Sequence, residues 1–412
     1  MTTFVLAAAV ATPPPWPWAY NWSRFPAAWF GANATRWESP SQLAAIGRYS
    51  LAILGWQHLA HDDNMTAVIY PQLAQAAIIK AAHPSLPVFV YTSFGWAFTM
   101  NEAVRPIMHD DRYRDYFLQS GSGFEYSYTN CQQMHLPSDD RCIGFFWNFA
   151  NASARDYFVD KLVRPLAIAP DIAGVFFDAV NFAYDIPEYK PWGRQVTNVP
   201  NCSIPATPGG AVTWSGCEAL LNGTLDVARR TAELLNAHGK VPMLANPGSF
   251  ARPRGRHIWL DEARLMTAMT GRRWQTYYES FRGDMPPTQP ADNLPNMLRE
   301  AALGVPAVVH TYYKGPTDEP MPHIAAFLLA RSDHWYFLGS TGWWDDSYHW
   351  TKLYDTCSKC GQPLGPATNT SGVLRRAFAG CKVSLDCRAD KCVGYVYTVE
   401  KNDDLSMPAR RP

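Results

Sequence analysis

Short apolar runs rich in β-branched and aromatic residues alternate along the chain with longer segments of helical periodicity. Eight runs predict strands, over residues 49–56, 86–92, 143–148, 172–178, 241–246, 274–279, 306–311 and 335–339. Helices are predicted over residues 71–82, 103–119, 152–166, 218–238, 260–270, 292–303 and 322–331. Because eight βα units can close on themselves, the pattern predicts an α/β fold, a (β/α)8 TIM barrel with its functional site at the C-terminal ends of the strands.

The competing fold is a doubly wound open sheet, but no Gly-rich phosphate-binding turn follows the first predicted strand. The barrel is predicted to span residues 21–345, and residues 1–20 before it form a possible signal or leader segment. Residues 346–399 are rich in cysteine and short β-like runs, which predicts a small β appendage, and 400–412 are expected to be a disordered tail. Insertions at 120–142 and 184–216 are expected to shape a cleft.

Charge and composition narrow the class of partner. Lys and Arg together number 36, as do Asp and Glu, so no net field favours nucleic acid or another polyanion. Aromatic residues make up 14% of the chain, and many fall at predicted loops, which favours a neutral ligand such as a carbohydrate. No apolar run has the length of a membrane span, and the sequence does not indicate an oligomeric state.

Cysteine usage indicates an oxidising compartment. Cys131 with Cys142 and Cys202 with Cys217 each bracket a loop-like stretch, which predicts two disulfides, whereas the pairing of the five C-terminal cysteines stays open. Cys357 and Cys360 form a CxxC that no second half completes as a zinc site, so we expect no metal and no cofactor. Glycosylation sequons begin at Asn21, Asn33, Asn64, Asn151, Asn201, Asn222 and Asn369, which predicts a secreted, extracellular or cell-wall-associated glycoprotein.

Two acids end predicted barrel strands. Asp178 closes the apolar run Gly-Val-Phe-Phe-Asp, and Glu279 closes Trp-Gln-Thr-Tyr-Tyr-Glu two strands later. Glycosidic cleavage needs two carboxyl groups flanking the bond, one as a proton donor and one as a nucleophile or water-activating base. We predict that Asp178 and Glu279 are this catalytic pair; the alternative for Asp178 is a salt bridge or helix cap, and for Glu279 a structural ion pair with Arg282 or Arg273.

Polar and aromatic residues near the strand ends are predicted to bind substrate. Asn246 and His310 are suited to sugar hydroxyls or to orienting an acid, although satisfied core groups are the equal alternative. The remaining candidates are aromatic rings that could stack on a sugar or shield an acid, and they are Trp56, Tyr91, Trp96, Trp147, Tyr278, Tyr312 and Trp343.

Two stretches resemble the hypothetical glycosyl hydrolase family 15 of putative TIM-barrel glycoside hydrolases. The first is Asn-Phe-Ala-Asn-Ala-Ser-Ala-Arg-Asp-Tyr-Phe at 148–158 followed by Asp-Ile-Ala-Gly-Val-Phe-Phe-Asp at 171–178, and the second is the tail at 361–366, 372–378 and 381–385. The resemblance spans about Tyr49 to Val396. It implies an acid after the fourth strand, which Asp178 matches, and Glu279 occupies a sixth-strand acid position.

We therefore expect a secreted glycoside hydrolase acting on a polysaccharide or oligosaccharide. The alternative is a catalytically silent carbohydrate-binding or extracellular matrix glycoprotein on the same scaffold, because heavy glycosylation and a cysteine-rich appendage suit both.

Overall fold

The computed structural model describes residues 12–33, 37–55, 58, 69–98, 101–108, 110–120, 123–124, 126–129, 143–178, 180, 197–202, 217–245, 262–281, 290–312, 321–342, 347–388 and 392–398. Within them, eight strands form one parallel sheet. In sheet order these strands are Ala28–Gly31, Leu51–Leu54, Val88–Ser93, Gly174–Asp178, Val241–Ala245, Gln275–Phe281, Ala307–Tyr312 and Tyr336–Ser340.

The first and last strands meet and nearly close the barrel. A parallel bridge joins Ala27 to Phe337, whose backbone N–H donates to the carbonyl oxygen of Pro26 at 2.9 Å. The predicted TIM-barrel fold is confirmed by this strand order, with helices between the strands.

One predicted barrel strand was wrong, and one was missed. Ile143–Phe146 pairs antiparallel with Trp96–Phe98 and with Tyr126–Thr129 in a separate sheet. The barrel instead gains Ala28–Gly31, a four-residue strand directly after a Pro- and Trp-rich stretch. An apolar run indicates that a segment is buried, but it does not indicate to which sheet the segment belongs. Because one barrel strand was wrongly predicted and one was missed, the predicted number of barrel strands was still eight.

Six of the seven predicted helices form, and two further helices, Pro40–Ile46 and Lys352–Ser358, were not predicted. The helices are Pro40–Ile46, Ile69–Ala82, Ala152–Tyr157, Arg164–Ile168, Glu218–Ala237, Glu262–Met269, Pro290–Ala302, Met321–Ala330 and Lys352–Ser358, with a π-helical turn at Phe158–Val163. The helix predicted over 103–119 is wrong. Only two 3-10 turns, Arg105–Ile107 and Asp111–Tyr116, and the start of the strand Gln119–Ser120 lie there. The Asp110 side chain accepts from the Arg112 backbone N–H, and this local bond starts a new turn instead of continuing a helix.

Glycines allow two close approaches that the barrel requires. A Cβ atom on Gly174, at the start of the fourth strand, would lie 2.1 Å from the carbonyl oxygen of Val241 in the next strand. A Cβ atom on Gly223 would lie 1.7 Å from the carbonyl oxygen of Phe149, which brings the helix Glu218–Ala237 against the turn before Ala152–Tyr157. Any larger residue at either position forces backbone to move.

An N-terminal aromatic segment packs on the N-terminal end of the barrel. The Trp16 ring stacks on His334 with centroids 4.2 Å apart, and the Trp18 indole N–H donates to the Tyr336 hydroxyl at 2.9 Å. The Tyr20 hydroxyl donates to the carbonyl oxygen of Trp335 at 2.9 Å. Residues 16–20 of the predicted leader thus contact the folded barrel.

A four-stranded antiparallel sheet follows the barrel, as the cysteine-rich tail predicts. Its strands are Thr368–Thr370, Val373–Ala377, Cys381–Asp386 and Val393–Thr398. One face lies on the helix Met321–Ala330, because a Cβ on Gly394 would sit 2.7 Å from the Cα of Pro322. Arg376 donates to the carbonyl oxygens of Leu328, Leu329 and Arg331 and so caps the helix C-terminus.

Candidate functional site

Asp178 lies at the C-terminal rim of the barrel, where the fourth strand ends. The strand Gly174–Asp178 is buried up to its last residue, and Asp178 itself is half-buried. Its Cα pairs with that of Ser93 in the third strand, and its carbonyl oxygen accepts from the Phe94 backbone N–H at 2.7 Å. The backbone of the acid is therefore held on the side of the third strand.

The carboxylate of Asp178 is oriented by Tyr91. The Tyr91 hydroxyl donates to Asp178 Oδ2 at 2.9 Å. Burial raises the pKa of Tyr91 well above its usual value, and the negative charge and hydrogen bond of Asp178 add to the rise. Tyr91 therefore stays a neutral phenol, and a donor to the carboxylate, throughout the physiological range.

Tyr91 is itself fixed by the strand and helix around it. Its backbone N–H donates to Gln72 Oε1 at 2.9 Å, and Gln72 Nε2 donates to the Gly55 carbonyl oxygen at 3.3 Å. Gln72 is fully buried in the helix Ile69–Ala82, so one side chain connects the ends of the second and third strands. Gln72 was not predicted from the sequence, although two glutamines spaced three residues apart, Gln72 and Gln75, on the buried face of this helix were the available signal.

A layer of aromatic rings forms the floor beneath Asp178. The Phe176 ring lies 5.2 Å from that of Phe30, 4.9 Å from Tyr277 and 5.7 Å from Tyr91. Phe30, Phe176 and Tyr277 belong to the first, fourth and sixth strands, which are not sheet neighbours, so their side chains meet only inside the barrel. These rings are almost fully buried, so the layer beneath Asp178 is closely packed.

Next to this floor, His310 connects the sixth, seventh and eighth strands. Its Nδ1 is hydrogen-bonded to the Tyr277 hydroxyl, and its Nε2 lies 2.7 Å from Ser340 Oγ. His310 is 0% exposed. Both ring nitrogens are occupied inside the protein, so we assign His310 an internal role and withdraw it from the set that contacts sugar directly. Ser340, which ends the last strand, was not predicted from the sequence, because the predicted strand ended at residue 339.

Glu279 lies near the C-terminal end of the sixth strand, Gln275–Phe281. Its Cα pairs with that of His310, and the register shifts between Glu279 and Phe281. The side chain of Glu279 lies outside the described residues. Both predicted acids thus occupy the C-terminal ends of their strands, and the separation of their carboxylates stays a prediction.

Two predicted aromatic platforms are not surface groups. Trp147 is 0% exposed, because the antiparallel sheet and the turn after it bury the ring among Phe117, Phe149 and Phe158. Trp96 is 6% exposed and packs against Phe146. A sugar cannot stack on either ring without rearrangement, so both predictions are corrected.

Tyr278 also leaves the proposed site. Its hydroxyl bonds to Glu300 Oε2 of the helix Pro290–Ala302, outside the barrel. Since side chains alternate along a strand, its neighbour Tyr277 faces the interior and Tyr278 faces the helix. Trp56, Asn246 and Trp343, and the side chain of Tyr312, lie outside the described residues.

The described disulfides include one predicted pair. Cys202 and Cys217 are bonded with a Cα–Cα distance of 4.4 Å, whereas Cys131 and Cys142 lie outside the described residues. In the C-terminal region, Cys360 pairs with Cys381 and Cys387 with Cys392. Cys357 is free and buried, so the CxxC is not a redox pair.

The sequons differ in exposure. Asn21, Asn201, Asn222 and Asn369 are exposed, Asn151 is half-buried and caps the helix Ala152–Tyr157, and Asn64 lies outside the described residues. Asn33 is buried, with 7% of its surface exposed, and residues 34–35 of its sequon lie outside the described residues, so glycosylation there stays a prediction.

Among the residues that the structure describes, no group of three or more His, Cys, Asp or Glu side chains is arranged to hold a metal ion. No described helix is both long and apolar enough to cross a bilayer. The fold and site together define a (β/α)8 barrel with an oriented aspartate at its C-terminal rim.

No family model matches the chain, and no curated protein sequence matches it. Among solved structures, the glycoside hydrolase domain of PelA from Pseudomonas aeruginosa is similar, with a TM-score of 0.45, 12% identity, and coverage of 76% of this chain and 95% of that chain. Aspergillus fumigatus Ega3 in complex with galactosamine has a TM-score of 0.43 and 12% identity, covering 81% of this chain and 97% of that chain. The catalytic domain of β-amylase from Paenibacillus polymyxa has a TM-score of 0.43 and 11% identity, covering 76% and 91%.

These identities and TM-scores are low. The barrel assignment therefore rests on the strand order of this chain. No family model supports the resemblance of its sequence motifs to one hydrolase family.

Proposed function

We propose that the chain is a secreted glycoside hydrolase in which Asp178 and Glu279 are the two catalytic carboxylates. The observation that carries the proposal is the Asp178 carboxylate, half-buried at the C-terminal rim and held by the Tyr91 hydroxyl at 2.9 Å. In a barrel of this kind, the C-terminal rim is where catalytic groups lie. An acid fixed in orientation there is suited to attack on, or water activation at, an anomeric carbon.

The two acids are proposed to divide the work. Asp178 is short and emerges from a buried strand, so it acts as the nucleophile or orients water. Glu279 has one more methylene group and protonates the glycosidic oxygen. If their carboxylates are about 5 Å apart the reaction retains configuration, and a gap of about 6.5–9.5 Å leads to inversion.

The backbone register supports two acids on one cleft. Register pairs link Phe177 to Leu244 and Leu244 to Thr276, which makes Tyr277 the residue level with Asp178. Glu279 is two residues further along, about 7 Å higher on a strand that lies about 10 Å away around the sheet. We propose that the two acids flank one glycosidic bond at this rim.

Four residues are proposed to contact the substrate because their positions in the sequence place them at the C-terminal rim of the barrel. These are Trp56, Asn246, Tyr312 and Trp343, each at or just beyond the end of a barrel strand. Tyr91 acts through Asp178 and is a positioning residue, because its hydroxyl is directed at the carboxylate.

Secretion is proposed from the cysteines and sequons. Three disulfides in the described residues are consistent with an extracellular protein. Since Trp16, Trp18 and Tyr20 contact the barrel, we propose that any leader that is removed ends before Trp16. The barrel and the cysteine-rich sheet would then form the secreted protein.

The test is a turnover screen with a panel of aryl glycosides and soluble polysaccharides, followed by substitution of each acid. We expect Asp178→Asn to abolish turnover of every substrate, while Glu279→Ala spares activated aryl glycosides whose leaving group needs little protonation. Asp160→Asn, at an exposed helix position paired with Arg164, is the matched control and should leave turnover unchanged.

Wild-type turnover in Asp178→Asn would refute the assignment of this residue. Binding of a polysaccharide with no turnover of any panel member would instead favour the catalytically silent carbohydrate-binding protein.

A further inference from the structure

The last strand of the C-terminal sheet carries a row of exposed apolar side chains. Val393, Tyr395 and Tyr397 are 44%, 44% and 40% exposed, and they alternate with Gly394 and Val396 on the other face. The other large exposed hydrophobic residues of the described chain lie apart from one another, and none lies on this sheet strand. Isolated exposed residues are ordinary, but three in alternate positions on one strand form a patch.

The two tyrosine rings are held nearly parallel. Their centroids are 5.7 Å apart, and the angle between the ring planes is 16°. Burial, together with the neighbouring Tyr395, raises the pKa of Tyr397, so the Tyr397 phenol is neutral at physiological pH. The rings offer π-electron faces next to hydroxyl groups that donate and accept hydrogen bonds.

Polar side chains flank the rings on the adjacent strand. Lys382 is the Cα partner of Tyr397 and Asp386 that of Val393, and both are half-buried, whereas Ser384, the partner of Tyr395, is buried. Asp386 is paired with Arg388 at 2.7 Å. Both signs of charge therefore lie around the patch, which gives it no preference for an anionic or a cationic ligand.

The sheet that presents the rings is rigid. The disulfide between Cys387 and Cys392 closes the connection between its last two strands, and that between Cys360 and Cys381 fixes the start of the third strand. Its opposite face is fixed to the helix Met321–Ala330, where Gly394 approaches Pro322. A ligand would therefore meet preorganised rings and would lose little free energy in ordering them.

From this arrangement we infer that the outward face of the C-terminal sheet, around Tyr395 and Tyr397, is a binding site for a neutral polysaccharide. Neutral sugars combine apolar C–H faces, which lie against aromatic rings, with hydroxyl groups that hydrogen-bond to polar neighbours. The inference concerns binding away from the barrel rim and does not depend on the proposed catalysis.

The size of the patch favours a sugar over a protein as the occupant. At the observed exposures the two rings present on the order of 200 Å² of surface. A stable protein interface covers roughly 800 Å² on each partner and is centred on a continuous apolar patch. Two aromatic rings with polar neighbours match one or two sugar residues instead.

The experiment is affinity electrophoresis of the full chain in gels containing a soluble β-glucan, α-glucan or galactomannan. The parent protein carries Asp178→Asn, so that any turnover at the barrel is removed and the mobility reports binding alone. We expect at least one polysaccharide to retard the parent. Tyr395→Ala/Tyr397→Ala should bind at least tenfold more weakly, and Tyr70→Ala, which removes a tyrosine that is 66% exposed on a barrel helix, should bind like the parent.

A second double variant, Tyr395→Thr/Tyr397→Thr, retains β-propensity in case the alanine variant does not fold. A measurement without substitution is nitration of exposed tyrosines with tetranitromethane, mapped by mass spectrometry. The retarding polysaccharide should protect Tyr395 and Tyr397 but not Tyr70.

Three results would overturn the inference. They are absence of retardation in all gels, equal retardation of the parent and the tyrosine double variants, and a parent dimer in sedimentation that the double variants dissociate. The last result would make a second copy of the chain the occupant. Retardation of the Asp178→Asn parent that is lost in Tyr395→Ala/Tyr397→Ala, together with wild-type turnover when the tyrosine substitutions are made in the Asp178 protein, separates this site from the proposed catalytic one.

Discussion

Buried histidines should make the stability of the protein fall as the pH drops below 7. Burial lowers the pKa of His58, His323 and His334 from 6.5 to about 4 in each case. In the unfolded chain these groups titrate near pH 6.5, so between pH 6.5 and 4 the unfolded state binds more protons than the folded state. A histidine whose folded pKa is lowered therefore contributes stability at neutral pH that is lost as the pH falls through this window.

The size of the loss follows from the shifts. A pKa of about 4 in the folded state and 6.5 in the unfolded state costs about 2 kcal/mol per histidine between pH 7.5 and pH 5. Three such groups would together remove about 6 kcal/mol, which is comparable with the whole stability of many domains, about 5–15 kcal/mol. We expect the free energy of unfolding to depend steeply on pH already above pH 5.

A substitution at His334 isolates one of the three. His334 has φ 58°, in the left-handed region that asparagine tolerates better than most residues. His334→Asn should reduce proton uptake on unfolding by about one proton. It also removes the stack on Trp16, at 4.2 Å, which should lower stability at every pH by about 1 kcal/mol.

The assay is urea unfolding followed by tryptophan fluorescence at several pH values from 7.5 to 5, at constant ionic strength. The slope of the unfolding free energy against pH gives the number of protons taken up. His238→Asn, at an exposed position just after the helix Glu218–Ala237, is the matched control that removes a histidine without removing a buried one. A flat profile for the wild-type protein, or the same slope in His334→Asn, would refute the reasoning.

Three further predictions test the site and the scaffold. Tyr91→Phe removes the hydrogen bond to Asp178. Because a bond to a charged group contributes about 1.5–3 kcal/mol, kcat on the best panel substrate should fall by about 10- to 100-fold. An unchanged kcat would contradict the positioning role. Gly174→Ala places a Cβ 2.1 Å from a carbonyl oxygen of the next strand. It should lower the free energy of unfolding in urea by at least about 3 kcal/mol or prevent folding. A loss below about 1 kcal/mol would show that the two strands can move apart to accept the Cβ. Cys202→Ser/Cys217→Ser removes a disulfide between residues 15 positions apart and should lower the free energy of unfolding by about 3 kcal/mol. An unchanged urea midpoint would contradict the view that this disulfide stabilises the fold by restricting the unfolded chain.

The sequence pattern identified the barrel because its signal is repeated. Seven of the predicted runs overlap strands of the parallel sheet, and each carries its own local apolar pattern. The strand Ala28–Gly31 has only four residues, all of them buried, and so shows no alternation. Ile143–Phe146 has the composition of a barrel strand, but its antiparallel partners lie elsewhere in the chain, and no local pattern identifies them.

The candidate site could be predicted only to the level of strand ends. Asp178 was identifiable because a lone acid after an apolar run is a local feature. Side chains along a strand alternate between the two faces of the sheet, so a shift of one residue changes which side chain faces the barrel interior. Such a shift separates Tyr278, which was predicted to contact substrate, from Tyr277, which faces the interior. The burial of Trp147 depends on rings contributed by other segments, and the two partners of His310 come from the strands on either side of it.

The barrel separates its stabilising contacts from its proposed chemistry. Trp16 stacks on His334 and Trp18 bonds to Tyr336 at the N-terminal end, where the last strand begins, whereas Asp178 lies at the opposite rim. In barrels of this type the N-terminal face contributes stability and the C-terminal face carries catalysis. A close-packed interior lies between the two ends, so a change at the base should alter the free energy of unfolding and leave the rim geometry intact. His334→Asn should consequently lower stability without changing kcat, and a parallel loss of both would mean that the two ends are coupled through the last strand.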